Sequence, residues 1–96
     1  MVGVTAVGTR VIALRNIDTE KAYSFGEGVY LGDLIPNTDS LPGDFRNPCI
    51  QLDDGGFVWG FQCWWGPTDQ ITKQIGDRPV EKVDLVDSFA PKERVS

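Results

Sequence analysis

Asp54-Gly55 lies between two extended runs, Cys49 to Leu52 and Phe57 to Trp65, and that dipeptide is the strongest short-range signal for a β-hairpin. A two-residue turn would pair Asp53 with Gly56. The register then predicts Leu52 opposite Phe57, Gln51 opposite Val58, Ile50 opposite Trp59 and Cys49 opposite Gly60. Side chains alternate along a strand. One face therefore carries Ile50, Leu52, Phe57, Trp59 and Phe61, and the other Cys49, Gln51, Val58, Gly60, Gln62 and Trp64. The sorting selects the first face as core. Asp53 and Asp54 read as turn residues, not as a carboxylate pair.

The rest of the chain is organised around this hairpin. Residues 9–16 read as a strand. Residues 21–34, interrupted by Gly26, Gly28 and Gly32, read as one kinked strand or a tight hairpin. Residues 35–48 hold Pro36, Pro42, Gly43 and Pro48 and read as a long loop. Gly66 as N-cap, Pro67 at the first helical position and Asp69 in the first turn open a helix. Ile71 and Ile75 dock it, and Gly76 ends it. Val80 to Val86 reads as a last strand, and 87–96 as a loosely held polar tail. Eleven glycines and six prolines in 96 residues fit many short turns. The predicted fold is mainly β (α+β): one domain over 1–96, with an antiparallel sheet of about four to five strands and one short C-terminal helix.

Charge and residue usage narrow the function. A net charge of −5 argues against binding a nucleic-acid backbone, which needs a basic face. It leaves room for one small anionic ligand, served by some of Arg10, Arg15, Arg46, Arg78 and Arg94. The chain has no histidine, the commonest acid–base side chain and metal ligand. Cys49 and Cys63 project from opposite faces in the predicted register. They read as reduced thiols, not as a disulfide or a metal site. Neither a signal peptide nor a run of about 20 apolar residues is seen, so no membrane association and a cytoplasmic setting are expected. No cofactor and no catalytic residue is assigned. Gly26-Glu27-Gly28 lacks the lysine and helix start of a phosphate loop, and residues 92–94 read as solvated tail.

Six of the ten aromatics fall between Phe45 and Trp65. Trp64 and Trp65 point to opposite faces of an extended strand, so the core cannot take both. Trp64 beside bare Gly60, with the amides of Asn47, Gln51 and Gln62, suits stacking of a nucleobase and reading of its edge. A subunit interface, where tryptophan is also enriched, fits Trp64 equally.

Gly28-Val29-Tyr30, Gly32-Asp33, Asn47-Pro48, Ile50, Leu52-Asp53, Gly55, Val58-Trp59-Gly60 and Cys63-Trp64-Trp65-Gly66 form a pattern. It resembles short phage-encoded proteins, above all the first Thoeris anti-defence family. The resemblance spans residues 28 to 66. It implies a sponge in the host cytoplasm that captures a cyclic ADP-ribose isomer without cleaving it, and that assembles as a homodimer or higher oligomer. Some members of the family are also similar in binding cyclic oligonucleotide signals. The candidate ligand residues are Asn47, Trp64 and Arg46, with Phe45 closing from the loop and Arg10 or Arg15 as further cations. Two other functions compete: a protein-interaction module working through an exposed aromatic face, and a carboxylate-dependent hydrolase using Glu27 or Asp33.

Overall fold

The computed structural model describes residues 5–85 and 88–92. The fold is mainly β. Strands β1 (Arg10–Ile17), β2 (Ala22–Leu34), β3 (Asn47–Leu52), β4 (Phe57–Trp59), β5 (Trp64–Pro67) and β6 (Val80–Lys82) form a single sheet. One helix, α1 (Thr68–Ile75), packs on it. The order is β4-β3-β2-β1-β5, antiparallel throughout, with β6 running parallel to the start of β2. Val86, the last residue of the predicted final strand, lies outside the described residues; that strand spans only Val80–Lys82.

β2 organises the sheet. Its 13 residues pair with β1 along one edge, and with β6 and then β3 along the other. It is the kinked strand, not a hairpin. The register with β1 shifts beside Gly26 (φ 121°), and that with β3 shifts between Tyr30 and Gly32 (φ 104°). Positive φ is cheap only for glycine, so these two positions let a long strand bend without breaking.

Both faces of the sheet are covered. Val11, Ala13, Phe25, Tyr30, Ile50, Leu52 and Val58 form one core, with Cys63, Trp65, Val83 and Leu85 packed against it. The Trp65 and Tyr30 rings stack there at 4.9 Å. Ile12, Leu14 and Ala22 form the second core with Ile71 and Ile75 of α1. Each buried Val, Leu or Ile side chain of these cores contributes about 1.5–3 kcal/mol. The helix starts later than predicted. Gly66 is a strand residue opposite Ile12, and Pro67 takes the N-cap position. Gly76 (φ 61°) ends the helix, its N–H donating to the Thr72 carbonyl.

The hairpin register differs from the predicted one by one residue. Gln51 faces Phe57, Ile50 faces Val58 and Cys49 faces Trp59. Gly55 N–H bonds to the Leu52 carbonyl, and Leu52 N–H to the Gly56 carbonyl. Gly55 has φ 98°, while no described non-glycine residue has positive φ. A two-residue hairpin turn with Asp54 at positive φ is therefore excluded. A three-residue loop, Asp53 to Gly55 with Gly55 at positive φ, stands between Leu52 and Gly56 and adds one residue to the predicted turn. One step of register reverses the faces of the returning strand. Val58, not Phe57, joins Ile50 and Leu52 in the first core. Trp59 is fully buried, but on the other face beside Cys49. Phe61 is 44% exposed and leaves the core altogether.

The C-terminal segment is held, not loose, where it is described. Trp59 Nε1 donates to the Phe89 carbonyl at 2.8 Å, Asn37 N–H to the Ala90 carbonyl at 2.9 Å, and Lys92 N–H to the Ile35 carbonyl at 2.7 Å. Residues 93–96 of the predicted tail, with Arg94, lie outside the described residues.

Candidate functional site

Three of the predicted ligand residues gather near one another, and a fourth follows closely. Phe45 meets Phe61 edge to face at 5.6 Å. Asn47, the first residue of β3, accepts the Phe61 N–H on Oδ1 at 2.8 Å. Arg46 Nη1 reaches the Asp33 carbonyl at 3.4 Å. Trp64, 52% exposed, lies three residues after Phe61, within about 10 Å along the backbone. Phe45 and Phe61 form an open aromatic contact, Trp64 is exposed on β5 opposite Leu14, and none of these residues is among the described lining of the clefts of about 430 and 470 Å³.

Two of the expected roles change. The carbonyl oxygen of Asn47 is committed to the backbone of the 60–63 turn, so this amide builds the turn. Gly60 is bare because Asn47 and Pro48 fill the space: a Cβ there would stand 2.8 Å from Asn47 Oδ1 and 3.0 Å from Pro48 Cδ. Gln62 is also drawn into the fold, accepting the Trp59 N–H on Oε1 at 3.0 Å.

Arg10 and Arg15 do not join the cluster. Both Nη atoms of Arg10 bond the Asp53 carboxylate at 2.7 Å, and Glu27 stands 3.4 Å away. The Arg10 hydrogen bonds hold the Asp53 carboxyl below its ordinary range. Asp53 follows the end of β3 and Asn47 begins it, so Arg10 and Asn47 sit roughly 20 Å apart along the strand. Arg15 lies over the Tyr23 ring, 5.1 Å from its centre.

A cleft of about 430 Å³ opens on the face of the sheet where residues 88–92 cross it. Leu31, Phe57 and Pro91 give it apolar walls; Gln51, Asn37 and Lys92 give it amides and a cation. Its size falls within the ~300–1,000 Å³ of small-molecule sites. Register positions Gln51 and Phe57 side by side on adjacent strands. The bond from Asn37 to Ala90, the bond from Lys92 to Ile35 and the pairing of Pro36 with Pro91 join the loop after β2 to the C-terminal segment. None of the described residues lining this cleft is an acid, a thiol or a hydroxyl.

Sequence reasoning missed this cleft for a definable reason. The slipped register assigned Phe57 to the core, and the assumed loose tail hid Lys92. Gln51 alone was visible, as an amide on a solvent-facing position.

Other reactive groups are occupied. Asp33 accepts the Tyr30 hydroxyl at 2.9 Å, and burial, with that bond, pushes the Tyr30 phenol up to about 12. Cys49 and Cys63 are free thiols, each pushed up to about 12 by burial. Among the described residues, no helix is long and apolar enough to cross a membrane, and no group of three acidic or cysteine side chains is placed to hold a metal ion. Comparison with known proteins finds no matching family model, no matching curated protein and no matching solved structure.

Proposed function

We propose that this chain captures a small cyclic nucleotide and holds it intact, the ligand in first place being the cyclic ADP-ribose isomer suggested by the pattern in residues 28 to 66. The setting is a phage-infected host cytoplasm, where sequestration of the signal would silence a bacterial defence. The observation that carries the reading is the cleft at Phe57. A flat aromatic, two side-chain amides and one ammonium line a single space of nucleotide size. Aromatic stacking is worth about 1–3 kcal/mol per base, the amides suit a base edge, and Lys92 suits a phosphate. A lining of amides and an ammonium favours retention over hydrolysis, because general acid–base chemistry needs a group poised near neutral pH.

The test is calorimetric titration with a panel of cyclic ADP-ribose isomers and cyclic dinucleotides, followed by heat release and chromatography of the ligand. Saturable binding with whole ligand recovered supports a sponge; a cleaved product replaces it with a hydrolase. Phe57→Ala and Gln51→Ala should each weaken binding about tenfold or more. Heat from no member of the panel would sink the nucleotide reading.

A second reading has its own observation. Phe61 and Trp64 are both exposed, on the 60–63 turn and the adjoining strand. Exposed aromatics on an open surface suit a protein partner, a second copy included. Trp64→Ala should then abolish association in sedimentation while leaving ligand titration unchanged.

A further inference from the structure

A second cleft, about 470 Å³ in volume, lies between the end of α1 and the β2–β6 edge of the sheet. Ile12, Ile75 and Val80 give it an apolar lining. Among the described residues that line it, the cations are Arg78 and Lys82 and the acid is Glu27. Gly26 contributes bare backbone: a Cβ there would come within 3.3 Å of Lys82 Cε.

Arg78 is fixed before any ligand arrives. Its Nε donates to the Asp18 carbonyl at 2.7 Å, and its Nη1 to the Gln74 and Ile75 carbonyls at 3.0 and 2.9 Å. These bonds close the C-terminus of α1, and all of them go to neutral oxygens. The nearby Asp18 carboxylate accepts the backbone N–H groups of Glu20 and Lys21 on Oδ1, and those bonds, with the charges of Lys21 and Arg78, hold its carboxyl below the ordinary range. The guanidinium, its charge shared in part with Asp18, thus stands at the cleft on a side chain that has already lost its freedom. That removes much of the ordering cost of binding an anion. Lys82 is half-exposed, and among the described residues its ion-pair partner is Asp54, 3.6 Å away and itself exposed. Glu27 is oriented by Arg10 at 3.4 Å and adds one negative charge to the same space.

We infer that this cleft binds a small organic monoanion with an apolar body, its carboxylate on Arg78 and Lys82 and its hydrocarbon part against Ile12, Ile75 and Val80. Arg78 and Lys82 less Glu27 leave the cleft a charge of +1, so a second negative charge on the ligand adds attraction only in proportion while its lost hydration grows as the square of the charge, which favours a monoanion. The site is separate from the Phe57 cleft and does not rest on the nucleotide reading.

The experiment is titration of the ¹⁵N-labelled full chain with 3-phenylpropionate, its neutral amide 3-phenylpropionamide, and phenyl phosphate. Backbone amide and arginine Nε resonances report the site. The expected result is saturable binding of the carboxylate at about 1 mM or tighter, with shifts at Gly26, Gly76 and Arg78. The amide and the phosphate ester should bind more weakly. Lys82→Gln should weaken the carboxylate about tenfold, and Phe57→Ala should leave it unchanged. Arg78→Gln removes a helix-end contact and is paired with a thermal melt; Lys82 is an exposed side chain, so its variant tests the charge in a folded protein. Equal binding of acid and amide, equal or tighter binding of phenyl phosphate, shifts centred on Gln51 and Phe57, or no saturation would each overturn the assignment. Loss of nucleotide binding in Phe57→Ala, with the carboxylate retained, separates the fate of the two sites.

Discussion

At the scale of single residues, polar side chains near the aromatic surface build the fold before they serve any ligand. Asn47→Ala leaves the Phe61 N–H without its acceptor, and the expected cost is about 1 kcal/mol in urea denaturation. Ligand affinity in the folded fraction should stay unchanged, which distinguishes a turn-building amide from a base-reading one. Asp53 gives a pH prediction with a defined sign. Its folded pKa lies below the ordinary value of 3.8 because Arg10 hydrogen-bonds the ionised form. The stabilisation is therefore fully present above the unfolded pKa and is lost as pH falls through the lower folded value. Asp53→Asn should flatten that part of the acid limb while leaving the alkaline limb as it was. The cysteines act in the opposite direction. Burial raises both thiols to about 12, so folding disfavours their ionisation, and stability declines as pH rises above the unfolded thiol range. At pH 8 both should resist iodoacetamide until the chain is unfolded, as mass spectrometry would record.

At the scale of elements, most of the fold was legible from the sequence, because alternation and turn chemistry act locally. The 9–16 strand, the hairpin at Asp54-Gly55 and the docking of Ile71 and Ile75 all rest on neighbours a few residues apart. The exact register was not legible. Asp-Gly serves both a two-residue turn and a turn closed by glycine at positive φ, and packing of Val58 on Ile50 chooses between them. Pairings across the chain, β1 with β5 and β2 with β6, leave no local mark. Neither does the cleft that depends on them. Glycine substitutions separate the two kinds of constraint. Gly55→Ala has open space and pays only for its φ, about 1 kcal/mol. Gly28→Ala drives a Cβ into the Gln51 carbonyl of the neighbouring strand and should cost at least about 3 kcal/mol or abolish folding. Urea midpoints of the two variants would rank them. The outer edge of β4 is also guarded. Ser88 Oγ bonds both the N–H and the carbonyl of Phe57, and Gln62 Oε1 takes the N–H of Trp59. Ser88→Ala would bare a strand edge, so faster aggregation at high concentration is expected in light scattering.

At the scale of the whole molecule, the segment 88–92 ties the last part of the chain to the middle. It covers Trp59, accepts its indole N–H and forms one wall of the Phe57 cleft. Truncation after residue 87 should expose that indole, red-shift the tryptophan emission and cost about 3 kcal/mol. Nucleotide affinity should disappear with the wall. The placement of β5 and β6 has a consequence for how the protein is made. A ribosome delivers about 5–20 residues per second. The first four strands form a meander of sequential neighbours, so they can pair as they emerge. β1 must wait for residues 64–67, and the start of β2 for residues 80–82, before their second edges are filled. A nascent chain that has emerged from the exit tunnel up to about residue 60 would thus hold a paired but half-edged sheet. The Phe57 cleft has its wall only once residues 88–92 have left the exit tunnel, so a ligand can be held there only after that segment has emerged and folded back.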